Sequence, residues 1–472
     1  MWLNGLICAC LATGWLALFV GSTHAQDVVG NAPTPVNEAL ASNLQSSIAS
    51  SIPVLAPFKK GLSDLGYNLQ FIYIGEELGN PTGGVKRGAT NEGLFNMSVD
   101  GDLDRIAGLN GATFHINAFV IHGRGLTTFN VFDIAPLSGI EARPTTRLFE
   151  AWVEQQLSQG FAAIRIGQLS ADTEFFISDL AASYIDATFG WPDIMTADLP
   201  SGGGPNYPLA TPGVRLKLTP NDQTTLLAAV FNGDPSGAGF TGLQQVKDPS
   251  GINFRLKDPP FLIGEAQFRY NQAADSAGVA GTIKLGVWHH FGNFSDQRIG
   301  ANGLLLADPL SGGNALVHGG NTGVYGLIDQ MVWRLPGDDA KKGVGVFARA
   351  SAAPPDRNRV DFYADAGVNF IGFWDKRPED SFGVAASYLR ISPQARENAL
   401  DEALFTPGPV DLLSYEAGFE LTYQAQVVPG FLVQPDFQYI FRPGGGALNP
   451  LNPAAGHIPD AAVFGLRTLI KF

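Results

Sequence analysis

Several groups of residues in this 472-residue chain have the types that chemistry needs, and spacing decides what each can do. Asp100, Asp102 and Asp104 recur at every second position of "DGDLD", as calcium ligands do. A strand would put them on one face at its end, which reads as an acidic patch of wall or turn. His289 and His290 are adjacent, so in a strand they point to opposite faces and cannot chelate one metal. "GAGFTG" at Gly237–Gly242 matches a dinucleotide fingerprint, but no helix pattern follows it. No Gly-x-Ser-x-Gly elbow occurs. Glu150 and Glu154 could form a glycosidase pair, although spacing along one strand is weak support for that chemistry. No cofactor or metal is implied, and the chain reads as a non-enzyme.

What remains is a set of charges that alternation assigns to one side of successive strands. Arg165, Arg215, Lys217, Arg269, Lys284, Arg334, Arg349 and Arg467 share that side with Glu150, Glu154, Glu265, Asp365, Glu416 and Glu420, and Trp152 and Trp288 lie among them. Opposed guanidinium and carboxylate groups make a transverse field that orients polar solutes and holds water. Arginine forks and carboxylates can replace the hydration of a sugar's hydroxyls, while an aromatic ring stacks on its C–H face. Arg165, Arg215, Lys217, Arg269, Arg349, Glu150, Glu154, Glu265, Trp152 and Trp288 are therefore expected to line a pore whose wall is wet and charged.

Those residues need a closed sheet to bring them together. From Tyr67 to the end the chain alternates in segments of roughly ten residues, the length a tilted strand needs to cross a bilayer. Sixteen such segments begin near Tyr67, Leu94, Ala112, Arg147, Phe161, Gly213, Gln223, Pro260, Val279, Gly320, Gly343, Asp361, Ser381, Leu412, Phe431 and Ala461. Short turn-rich links such as "SQG", "TPND" and "VVPG" alternate with long ones such as Ser170 to Pro212 and Gly233 to Asp258. Tight turns at one end and long loops at the other, on an even strand count, predict an all-β, 16-stranded antiparallel transmembrane β-barrel.

Facing supports that prediction. Tyr415, Ala417, Phe419, Leu421 and Tyr423 oppose Glu416, Gly418, Glu420, Thr422 and Gln424, and Phe431 to Phe441 repeats the arrangement against Gln434, Asp436 and Gln438. A lipid-facing charge at mid-bilayer costs ~2–4 kcal/mol, so charges collect on the inner wall. Asp329 breaks the rule, because it alternates with Tyr325, Leu327, Met331 and Trp333. A bulge, a subunit contact and a misplaced register are the three readings of that break.

Composition sets outer bounds. There are 57 glycines, 32 phenylalanines and only 16% charged residues, and the net charge of −14 argues against a nucleic-acid partner. Both cysteines, Cys8 and Cys10, fall within residues 1–25, which read as an export signal cleaved after Ala25, although no basic residue precedes its apolar run. Residues 26–65 read as a periplasmic segment that is partly helical, with Leu40, Leu44 and Ile48 at helical spacing, and the barrel occupies 66–472. Beyond the signal no run of ~18 uncharged apolar residues exists to form a membrane helix.

From about Tyr67 to the C-terminus the chain resembles the carbohydrate-selective porins of the OprB type. The resemblance is carried by "RIGQLSADTEFFISDLAASYIDATFGWPDI", "PNYPLATPGVRLKLTPND", "AAVFNGDPSG" and the terminal strand, in that order. It implies a sixteen-stranded outer-membrane barrel that passes sugars and small polar solutes by diffusion, through a constriction formed partly by inward-folded loops. Ser170 to Pro212 is the expected loop. Gln168 stands where the family pattern leads one to expect a basic residue, and Asp186 where it leads one to expect Asn, which counts against a glucose-specific assignment. The final "AVFGLRTLIKF" sets Phe464, Leu466, Ile470 and Phe472 toward lipid and Arg467 toward the pore, closing the barrel against the first strand. In the proteins it resembles, a terminal Phe is part of the signal read by the outer-membrane assembly machinery, which gives Phe472 that expected role. The competing readings are a secreted β-rich carbohydrate-active enzyme or lectin, and a porin for non-sugar solutes.

Overall fold

A computed structural model describes residues 47–48, 55–239, 243–273, 275–337 and 341–472, all within one compact unit that spans Thr34–Phe472. The expected export signal lies outside the described residues, as does nearly all of the helix expected over Leu40 to Ile48. The helix that is described near the N-terminus runs Leu55–Asp64.

Sixteen strands follow: β1 Tyr67–Thr82, β2 Gly88–Asp102, β3 Ala112–Gly123, β4 Thr145–Leu157, β5 Ala162–Leu169, β6 Thr211–Asn221, β7 Thr224–Asn232 and β8 Pro260–Tyr270. The second half comprises β9 Gly281–Gly300, β10 Ala315–Arg334, β11 Gly343–Ala352, β12 Val360–Ile371, β13 Ser381–Ile391, β14 Tyr415–Val428, β15 Phe431–Phe441 and β16 Ala461–Lys471. Each strand pairs with its neighbour in sequence, and β1 closes on β16 in antiparallel register, with Ile72 opposite Lys471 and Glu76 opposite Arg467. Most strands start within a few residues of their predicted positions. The larger differences are at β2, which starts at Gly88, six residues early, and β10, which starts at Ala315.

Turn chemistry explains the short end of the barrel. Asp102 caps the short helix Leu103–Ala107 by accepting from the Asp104 and Arg105 amides, which is the turn role read from "DGDLD". Between β14 and β15, Gly430 takes φ +81, the left-handed conformation that a side chain would strain.

The outward face is apolar along its length. Ile166, Val214, Leu216, Leu226, Val230, Leu262, Ile283, Leu285 and Val287 are all exposed on β5 to β9. Water would not tolerate a continuous patch of that kind, whereas lipid does. Aromatic pairs mark both rims: Tyr388–Tyr415 and Tyr439–Phe441 near the long loops, Trp333–Phe373 and Trp374–Tyr423 near the short turns. Asp329 pairs in regular register with Phe347, and the register shifts only further on, between Met331 and Trp333. Asp329, Tyr325, Leu327 and Met331 are buried inside the barrel, and the bulge turns Trp333 outward. The alternation is therefore unbroken at Asp329: this face is the inner one rather than the lipid side, so the misplaced register is the correct reading, and the bulge only turns Trp333 out of the row.

Candidate functional site

The interior differs from the wet wall expected of it, because two connections fold inward and pack against it. Residues 170–210, between β5 and β6, bring Phe175, Phe176, Trp191, Ile194 and Met195 into a core shared with Phe261, Trp288, Tyr325 and Tyr363 on the wall. Part of the β3–β4 connection lies beside them: Ala187 N–H donates to Pro136 O and Gly139 N–H to Ile185 O.

Backbone inside a barrel needs partners, and the inward polar residues supply them. Arg349 donates to the carbonyls of Phe176 (3.2 Å), Thr188 (2.7 Å) and Gly190 (2.9 Å), and it is paired with Asp365 at 2.5 Å with neither side chain exposed. Glu265 accepts from the Phe176 amide and the Tyr325 hydroxyl, both at 2.8 Å. Lys284 reaches Ile177 O at 2.7 Å, and Asp329 accepts from the Asp179 amide and the Ser178 hydroxyl. Glu420 holds the Ile185 and Asp186 amides, while Glu416 holds those of Ile134, Ala135 and Gly444. Glu150 accepts from the Ser170 amide at 2.8 Å, where the segment turns inward.

A second group of charges binds side chain to side chain. Arg165 and Arg215 sit directly opposite each other on β5 and β6, a pairing that like charge disfavours. Two carboxylates bridge them. Glu154 Oε2 lies 2.8 Å from Arg165 Nη2 and 2.7 Å from Arg215 Nη2, and Glu174 Oε1 lies 3.4 Å and 2.6 Å from the two guanidinium groups. The four charges cancel. Burial works against charge on Glu174, but Arg165 and Arg215 outweigh it and hold its carboxyl below the usual range. The Arg165 guanidinium lies 3.5 Å from the Trp152 ring centroid, and His115 stacks on Trp152 at 5.2 Å while its Nδ1 meets Asp100 at 2.7 Å.

The predicted residues thus divide. Arg165, Arg215 and Glu154 are brought together, with half-buried Lys217 near them and exposed Arg269 at the short-turn end of β8. Glu150, Glu265 and Arg349 hold inserted backbone. Trp152 carries Arg165 and His115 against its ring, and Trp288 is buried beside Phe261, so neither tryptophan offers the free ring face expected of it. Gln168 donates to the carbonyls of Phe149 on β4 and Gly251 in the β7–β8 connection, whereas Asp186 accepts from the Thr188 amide within the inserted segment. Among the described residues no group of three or more His, Cys, Asp or Glu is arranged to hold a metal.

Sequence reasoning missed Glu174, Glu76, Glu92 and Arg147. Glu174 lies in a connection with no periodicity to place it. Glu76 alternates with Ile72, Ile74 and Leu78, an apolar row buried inside the barrel, the isoleucines against Phe119, Ile140 and Tyr207 and Leu78 against Leu126, Val131 and Leu137.

A closed sixteen-stranded barrel with an apolar exterior, long loops at one rim and charged side chains within is an outer-membrane porin. Residues 86–472 match the carbohydrate-selective porin, OprB family, and the chain belongs to it. Porin B of Pseudomonas aeruginosa is 23% identical over 403 residues, covering 81% of this chain and 85% of that one. A putative porin QuiX of Acinetobacter baylyi is 21% identical, covering 88% and 91%. A solved high-pH structure of Pseudomonas putida OprB superposes with a TM-score of 0.76 at 23% identity, covering 88% of this chain and 96% of that one. The protein is a sugar channel of the bacterial outer membrane, and the secreted enzyme or lectin reading gives way to a channel.

Proposed function

We propose that sugars diffusing through this channel touch the Arg165–Glu154–Arg215–Glu174 network, with Lys217 and Arg269 below it toward the short-turn mouth. The observation that carries this reading is the cancellation of charge in that network. Paired guanidinium and carboxylate groups present donors and acceptors side by side with no net field to select an ion. A neutral molecule rich in hydroxyls matches such a surface, and exchange stays fast because each contact is shared with an internal ion pair. Glu150, Glu265, Arg349, Trp152 and Trp288 line the pore indirectly, by holding the inserted segments or the arginine side chains that narrow it. No catalytic step is part of the function. Phe472 serves as the residue through which the assembly machinery engages the chain, and its amide donates to Phe71 O on β1, where the barrel closes.

The test is liposome swelling with refolded protein in monosaccharides, disaccharides and amino acids. Swelling in small sugars is expected, with slower entry as the sugar grows. No swelling in any sugar, with a sound barrel by circular dichroism, would overturn the reading.

A further inference from the structure

The long-loop rim at β1, β2 and β3 carries a charged patch on the outside of the barrel, away from the pore. Lys86 and Arg87 lie in the turn between β1 and β2, and Arg124 directly follows β3. Glu92, Phe119 and Ile121 are buried within the barrel, whereas Asn91 and Arg124 stand on the other side of the wall and are exposed. The Lys86 amide donates to Asn130 O at 3.0 Å, and Asn130 Nδ2 donates to Lys86 O at 3.2 Å, which folds the turn onto the segment after β3. The Arg124 guanidinium lies 5.0 Å from the centroid of the Phe129 ring. Three cations and Phe129 thus share one stretch of rim.

The protein supplies this patch with no counter-charge. At other long connections Arg255, Arg298, Arg357 and Arg390 each meet an Asp or Glu. Lys86, Arg87 and Arg124 are exposed and form no ion pair among the described residues, although the chain as a whole carries a net charge of −14. Glu77, an exposed acid on β1, accepts from Asn91 Nδ2 at 2.7 Å. Two aromatic rings stand beside the cations, with Phe129 53% and Phe132 40% exposed. Phe132 takes φ +65 at the end of a π-helical turn, Thr127–Val131, a backbone that a bulky residue seldom adopts. Packing alone gives no reason for that backbone, since both rings are left largely uncovered. Two residues before Arg124, His122 stacks on Tyr73 at 5.9 Å, as in the aromatic girdle that marks a membrane interface. The cations therefore stand one step beyond that interface, at the depth of lipid headgroups.

We infer that Lys86, Arg87 and Arg124 bind the phosphate of a phosphorylated glycolipid in the outer leaflet, with Phe129 and Phe132 set against its acyl chains. Guanidinium forks match phosphate oxygens two at a time, and the lysine adds a point charge. A soluble anion would neutralise the cations but leave both phenyl rings in water. A neutral lipid would cover the rings but leave three cations without a partner. A lipid phosphate meets both needs, and cations near a charged membrane surface gain from each lipid they neutralise. The site holds the barrel to its leaflet at one side and is independent of which solute passes through the lumen.

The experiment is native mass spectrometry of the refolded protein in detergent, titrated with diphosphoryl lipid A, dephosphorylated lipid A and inorganic phosphate. The variants are the triple Lys86→Gln, Arg87→Gln and Arg124→Gln, the single Phe129→Ser, and Lys257→Gln as a control cation elsewhere on the rim. Each is checked for a barrel by the heat-dependent shift of its gel band, and single Lys86→Gln and Arg124→Gln variants carry the reading if the triple does not fold. Wild type should retain diphosphoryl lipid A, more weakly as salt is raised. The triple should raise the half-saturating lipid concentration about tenfold or more, and each single change about threefold. Lys257→Gln should leave it unchanged. Unchanged binding in the folded triple, or in both folded single variants, would overturn the site. Equal binding of dephosphorylated lipid A, or an equal loss in Lys257→Gln, would also overturn it. Displacement of the lipid by an equal concentration of inorganic phosphate would show a soluble-anion site and overturn the lipid assignment.

Discussion

Replacing Arg349 is the most direct way to ask whether the wall holds the inserted segment. Its side chain contacts three backbone carbonyls of that segment and both carboxylate oxygens of Asp365, with no solvent exposure on either charged partner. In Arg349→Met the methionine fills part of the space, but Asp365 is left charged and buried. Removing one partner of a buried pair costs roughly 3–5 kcal/mol. Each carbonyl that loses its donor adds about 1 kcal/mol, less where the freed segment can turn it toward water. The carboxylate therefore dominates stability, whereas the carbonyls decide where the segment sits. A double variant, Arg349→Met with Asp365→Leu, separates the two effects. It should recover most of the loss in thermal unfolding temperature in detergent, because no lone charge remains. It should not recover the segment's position, so both variants should show larger single-channel conductance and weaker discrimination among sugars by size than wild type. Wild-type conductance in both variants would refute the idea that these bonds hold the segment across the lumen. Equal melting of the single and double variants would refute the claim that Asp365 carries the cost.

Three further outcomes can be checked independently. Burial pushes Asp193 up to about 7 and Asp172 up to about 6, from an ordinary value of 3.8, both within the inserted segment. The folded form then binds more protons than the unfolded chain between about pH 4 and pH 7, so stability should fall as pH rises from 5 to 8; melting in detergent across that range should show it, and Asp193→Asn should flatten the slope. Glu154→Gln removes one of two negative charges from a balanced network, so the reversal potential in a salt gradient should move toward anion preference, and an unmoved potential would place the network away from the ion path. Deleting Phe472 should lower the yield of heat-modifiable barrel in the outer membrane before it alters the conductance of the barrels that do form; the reverse order would show that the residue acts on the pore.

Much of the barrel was legible because its signal is repeated. Alternation, even strand count and the short–long rhythm of connections each recur many times, so an error such as the late start assigned to β2 does not disturb the rest. The terminal strand shows the same robustness. Phe464 and Leu466 are exposed outside, Arg467 is buried within, and β16 meets β1 as the pattern requires. The break at Asp329 was also visible, although its cause was not. Tyr325 and Leu327 pack in the core shared with the inserted segment, so the apolar residues and the carboxylate belong to one inner face.

The interior was less legible for a physical reason. Alternation tells which face a side chain takes but not what covers that face. Glu154 and Glu265 read alike in sequence, as inward glutamates on strands. One bridges two arginines that also meet the Glu174 side chain of residues 170–210, and the other accepts from the Phe176 N–H of the same segment. Ile72 and Ile74 are buried with Tyr207 and Ala210 of that segment and Leu78 with Leu126, Val131 and Leu137 of the β3–β4 connection, an inward apolar row among which Glu76 was overlooked. The transverse field expected from separate rings of opposite charge also changes character. Carboxylates stand between guanidinium groups at hydrogen-bond distance, so their fields largely cancel within a few ångströms. Selectivity in such a lumen rests on matched hydrogen-bonding capacity over short range, and a charged solute gains little there that a neutral hydroxyl does not.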